Sequence, residues 1–185
     1  MTVANTIILK RSRRTDGPAS KRASQTSNRR YSLRSIPGQA EELADAGLIR
    51  GKSWSLAQVC EHLALSIENT VRGSVSDSIP RRWKRLSRLQ RLIRWSLKNL
   101  MLLTGHFPKG APAPESVQPS DGVSLDEALR HLRAAAEAFD QKYASRNTSW
   151  GYHSLLGRMN GRAWGRFHRI HAAHHFSFVR VPARS

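Results

Sequence analysis

Between Ser55 and Gly73 the apolar residues Leu56, Val59, Leu63, Ile67 and Val71 recur every three or four positions. That period puts them on one face of a helix, which must then bury that face against something else. Ser55-Leu-Ala-Gln58 has the spacing of a capping box, the local signal that opens a helix, and Gly73 is the residue type that closes one. The same pattern returns at Ser124-Leu-Asp-Glu127, followed by Leu125, Ala128, Leu129, Leu132, Ala136 and Phe139, and predicts a helix to about Tyr143. A last helix is expected from Asn160, its cap, to about Phe178, with Trp164, Phe167, Ile170 and His171 at helical spacing. A short helix is expected from near Pro37, stopped by Gly47.

Ile79 to Leu103 predicts one further long helix, with Pro80 in its first turn and Gly105 as its stop. Trp83, Leu86, Leu89, Ile93, Leu97 and Leu100 are expected to form its inner face, and Trp95 falls close to the same face. Arg81, Lys84, Arg85, Arg88 and Arg91 are expected on the outer face. Gly105 to Val123 holds Pro108, Pro112, Pro114 and Pro119 and reads as a long loop, of a length that is usually functional, flexible or both. No strand-like alternation persists for more than a few residues. The expectation is an all-α chain of four long helices and a short extra N-terminal one.

The chain has 185 residues and a net charge of +18, a balance that favours polyanions. The charge is concentrated in two places. Residues 1–34 carry Lys10, Arg11, Arg13, Arg14, Lys21, Arg22, Arg29, Arg30 and Arg34 against the single acid Asp16. Residues 79–103 contain no acid at all. Residues 1–28 show no sustained period and are expected to form a disordered basic arm before a helical domain over 29–185. The Arg- and Ser-rich start would also suit an organelle transit peptide in a eukaryotic source. Cys60 is the lone cysteine, which excludes an intrachain disulfide and a cysteine-rich metal site. A reducing cytoplasm is the simplest fit, and Cys60 itself reads as a small core residue. No stretch approaches the roughly 20 apolar residues of a membrane span.

His168, His171, His174 and His175 crowd the last helix. Positions 171 and 175 are four apart, so their imidazoles leave one face one turn from each other, the geometry of a metal half-site. His168 shares that broad face, whereas His174 points to its flank. His62 lies on or beside the buried stripe of an earlier helix, where a third ligand from a facing helix belongs. Cys60 and Glu61 are further potential donors, but adjacent helical positions point apart.

The segment SWSLAQVCEHLALSIENTVRG, followed about a hundred residues later by AWGRFHRIHAAHHFSFV, resembles the DinB/YfiT-like superfamily, and within it a branch known only as a domain of unknown function. Trp54, Ser55, Gln58, His62, Leu63 and Ala64 carry the first motif, and Trp164, His171, His174 and His175 the second. RRYSLRS at Arg29 matches the usual start of that branch. Where the branch has His-Pro-x-Phe-Gly, this chain has NTSWGYHSLLG without the His-Pro pair. The resemblance, over about residues 29–180, implies a four-helix bundle, often dimeric, with a metal held by His62, His171 and His175. It further implies a thiol-dependent transferase or isomerase acting on a small-molecule substrate, with a low-molecular-weight thiol activated by the metal.

Three neutral histidines leave a coordination position open and suit Zn, Ni, Fe or Cu. An ion held that way either activates water for hydrolysis or stabilises a thiolate for attack on an electrophile. Hydrolysis needs a base, and Glu61 and Glu68, the nearest acids in sequence to His62, are not clearly placed to supply one. The thiol route demands less of the protein. A competing expectation has no catalysis: the basic arm and the Arg-rich third helix would bind nucleic acid or an anionic membrane.

Overall fold

The computed structural model describes residues 32–48, 53–73, 86–107, 114–144, 150, 152–153 and 156–179. The basic arm expected over residues 1–28 lies outside them. Five α-helices account for most of the described chain: α1 (Ser35–Asp45), α2 (Leu56–Arg72), α3 (Arg88–Thr104), α4 (Leu125–Ala144) and α5 (Gly161–Phe176). A single 3-10 turn, Glu115–Val117, and a minimal antiparallel pair, β1 (Tyr152–His153) with β2 (Gly157–Arg158), complete the set. The all-α reading holds. No helix among the described residues is long and apolar enough to cross a membrane.

The helix ends are where their local chemistry puts them. The Ser55 hydroxyl accepts from the Gln58 amide at 3.2 Å while the Gln58 side chain accepts from the Ser55 amide at 3.0 Å, closing the capping box of α2. Gly73 adopts the left-handed conformation, φ 64°, that terminates it. Ser124 and Glu127 make the equivalent pair at the start of α4. Asn160 caps α5 by accepting from the Ala163 amide at 2.9 Å. Gly161 follows at once, and here no side chain fits: a Cβ would lie 2.7 Å from Tyr143 and 2.8 Å from Trp150.

α2 and α4 pack along most of their length, with α1 against α4 and α5 against α2. Leu56, Val59, Leu63 and Ile67 of α2 meet Ala128, Leu132, Ala136 and Phe139 of α4 in one buried cluster. Trp164, Phe167 and Ala172 of α5 and Leu33 and Ile36 beside and within α1 close it. The entry to α1 is pinned to α4 by Asp140, whose carboxylate accepts from the Leu33 amide at 3.0 Å and from the Ser32 hydroxyl. The Lys142 ammonium donates to the Val71 carbonyl at 2.8 Å, satisfying the C-terminal end of α2.

α3 departs from expectation twice. First, the helix begins at Arg88, and Ser87 is its cap rather than a mid-helix residue. Ser87 and Gln90 form a capping box at 3.2 and 3.0 Å, so the continuous apolar period through this region concealed a genuine helix start. The expected first turn at Pro80, with Trp83 and its basic neighbours, lies outside the described residues. Second, the face expected inside is outside. Leu89, Ile93, Leu97 and Leu100 are exposed, as is Trp95, and Met101 is the one buried residue of the helix. The rest of the fold holds α3 by Met101, by Leu102 packed against the core, and by two polar tethers: the Lys98 ammonium donates to the Arg158 carbonyl and the Arg166 guanidinium to the Leu103 carbonyl, each at 3.3 Å.

Candidate metal centre

His62 emerges from the middle of α2 into the space between that helix, α5 and the 3-10 turn. Its Nδ1 lies 2.7 Å from the carbonyl oxygen of Val117. A carbonyl only accepts, so Nδ1 carries the proton and Nε2 is left as a bare lone pair. That lone pair faces α5, where His171 Nε2 lies 3.2 Å away. One turn further along α5, His175 Nε2 lies 3.0 Å from the same His171 nitrogen. The ligand nitrogens of His62, His171 and His175 all fall within 4.8 Å of one another. The structure therefore brings together the three histidines singled out in the sequence.

The arrangement suits a cation better than it suits itself. A single N–H on His171 Nε2 satisfies one of its two imidazole neighbours, not both, whereas one ion accepts all three lone pairs. Tetrahedral ligands at about 2.0–2.1 Å from zinc stand roughly 3.3 Å apart, close to the two observed separations. A three-histidine cluster of this shape could hold a metal ion.

The surroundings keep the imidazoles neutral, the state in which they ligate. Burial lowers the His62 pKa, partly opposed by the bond to Val117. Burial takes His171 well below the usual range, and the neighbouring His175 and His62 add to it. His175 is lowered to about 3, by burial first and then by His62 and His174. Aromatic rings wall the cluster. Phe107 stacks on His171 with centroids 5.0 Å apart, and Trp54 stacks on His175 at 5.7 Å while tilting against His62 at 4.8 Å. His62 and His171 are buried, and half-buried His175 marks the side nearer solvent.

Residues 20–182 match the family described as protein of unknown function DUF1569. The chain belongs to that family. No curated protein and no solved structure matches it significantly. The family description specifies no activity, so the chemistry of this member is argued from its own residues.

The remaining sequence candidates are placed elsewhere. His168 is fully buried, stacks on Trp164 at 5.6 Å and contacts the Thr70 hydroxyl at 3.0 Å, so it belongs to the core. Burial holds its pKa at about 3, with His153 contributing. His174 lies against Phe107 and Phe178 on the flank of α5. Cys60 is fully buried, lies outside the three-histidine cluster, and has its thiol pushed up to about 12, which leaves it a poor nucleophile. The Glu61 carboxylate is taken by the Ser120 amide at 2.8 Å and the Ser120 hydroxyl at 3.2 Å. Glu68 pairs with Arg72 at 2.7 Å and His131 at 3.0 Å.

Two contributors had no signature in the sequence reading. Val117 acts through a backbone carbonyl, which any residue type supplies. Phe107 follows the stop of α3 and is set over His171 by the turn at Gly105, φ 73°. The Pro-rich segment between α3 and α4 is thus part of the site: it positions His62 through Val117 and is itself tied to α2 through Ser120 and Glu61.

Proposed function

We propose that the chain is a DinB-like metalloenzyme, a helical bundle holding one divalent ion on His62, His171 and His175. The carrying observation is the His62–Val117 bond, which fixes the tautomer that aims Nε2 at the two histidines of α5. A carbonyl or carboxylate behind a ligand imidazole is the usual way a protein orients it and raises its basicity. Three neutral nitrogens leave the ion its full charge and an open position, and suit Zn, Ni or Fe.

When bound, such an ion supplies a charge that lowers the pKa of a water or thiol beside it. The protein's part is to hold three rings neutral, to shield them with Trp54 and Phe107, and to leave the His175 side for entry. We favour a thiol-dependent transferase acting on a small electrophilic substrate over a hydrolase. Glu61 and Glu68, the acids nearest His62 in sequence, are both engaged in other pairs, and a thiol nucleophile needs no carboxylate base. The order of the motifs around His62 and His171, which resembles DinB-like enzymes, supports the same choice.

Metal analysis of tag-free protein purified without chelator tests the reading. About one ion per chain is expected, falling to near none in His171→Ala while helical content is retained. A metal-free parent, or a variant with undiminished metal, contradicts it.

A further inference from the structure

The side chains of Leu89, Leu92, Ile93, Leu97, Leu100 and Leu103 are between 47% and 76% exposed, although they form one stripe of α3. At about 100° per residue they span an arc of roughly 140°, with Ser96 and the terminal Thr104 as the polar residues inside it. Single exposed leucines are ordinary, but a continuous stripe of six marks an interaction surface. The helix is not free to roll this face inward. Met101, just past the Leu97 edge of the stripe, is fixed in the core, and Lys98 and the Leu103 carbonyl are held by Arg158 and Arg166.

We infer that this face of α3 docks on an anionic lipid surface, with the helix lying in the plane of the headgroups. Charge decides the occupant. The segment 79–103 has eight Lys/Arg and no acid, and the whole chain carries +18. A dimer through this face would bring together two helices with no acid on either to pair with the cations flanking the stripe. Nucleic acid would satisfy the cations but leaves a leucine stripe in water. An anionic bilayer satisfies both, taking apolar side chains at the acyl boundary and cations at the phosphates. Arg88 is exposed near one edge of the stripe, and Arg91 is exposed on the opposite, polar face of the helix. Trp95, 59% exposed on the flank of α3 next to Arg88, is the residue type that settles at membrane–water interfaces. The 17-residue helix is too short and too basic to span, so it rests on the surface.

Sedimentation of the full chain with vesicles tests this directly. One set is phosphatidylcholine alone, the other phosphatidylcholine with about three parts in ten phosphatidylserine. Binding is expected to the anionic set only, weakening between about 50 and 200 mM salt. The double variant Leu89→Ser/Ile93→Ser is expected to lose at least roughly tenfold in partitioning. Because both side chains are solvent-exposed, its circular dichroism and metal content should match the parent. Arg88→Gln/Arg91→Gln is expected to weaken binding to the anionic vesicles without changing the fold. Undiminished vesicle binding by the leucine variant overturns the inference, because the basic N-terminal segment then suffices. It is equally overturned if the parent ignores vesicles and sediments as a dimer that Leu89→Ser/Ile93→Ser dissociates, or if it ignores vesicles and retains duplex DNA.

Discussion

His62 and Val117 are 55 positions apart in sequence, yet the ring nitrogen of one lies 2.7 Å from the carbonyl of the other. That contact turns a buried histidine into a directed donor. It also makes the loop between α3 and α4 part of the candidate centre.

The loop is anchored by Glu61, so loosening that anchor should be felt at the ion. Glu61→Gln weakens the contacts to Ser120 and is expected to lower metal affinity by up to about tenfold without abolishing binding. Competition with a chromophoric chelator measures it. Unchanged affinity would show that the loop holds its position without Glu61.

Acid should unfold the metal-free protein early. His62, His168, His171 and His175 all have folded-state pKa values below the ordinary 6.5, with His168 and His175 near 3. The unfolded chain therefore takes up protons first as pH falls. Stability is full above about pH 6.5 and is lost progressively below it, on the order of 1 kcal/mol per pH unit for each buried imidazole. Denaturant titrations at a series of pH values should show this slope. A flat profile between pH 6.5 and 5 would mean that these rings are already solvated in the folded state.

Cys60 should be inert in the folded chain. With the thiol buried and its pKa at about 12, a thiol reagent at neutral pH is expected to react only after unfolding. Comparing labelling rates with and without denaturant checks this, and fast labelling of native protein would place Cys60 at an accessible site.

Gly161→Ala should destabilise by about 1–3 kcal/mol, because the new methyl meets the rings of Tyr143 and Trp150 at less than contact distance. Thermal unfolding provides the measurement. A variant as stable as the parent would mean that these two rings move aside at no cost.

Much of this architecture is written in short-range signals. Ser55 with Gln58, Ser124 with Glu127, and Asn160 each mark a helix start, and the structure uses all three. The spacing of His171 and His175 sets their shared face as soon as the segment is helical. What failed was the orientation of α3. Periodicity identifies an apolar stripe but not the direction it is turned, and the packing of Met101 and Leu102 with the tethers from Lys98 and Arg166 decide that. The Ser87–Gln90 box was present in the letters but masked by the unbroken period on either side. β1 and β2, two residues each, are too short to show alternation. Val117 was out of reach because a backbone carbonyl leaves no trace in residue identity.

X-ray absorption at the metal edge of protein loaded with one equivalent of zinc tests the central claim most directly. Three imidazole nitrogens at about 2.0–2.1 Å plus one exchangeable oxygen ligand are predicted, with this imidazole shell reduced or lost in each of His62→Ala, His171→Ala and His175→Ala. A shell made only of water oxygens, or a spectrum indifferent to all three substitutions, would contradict it.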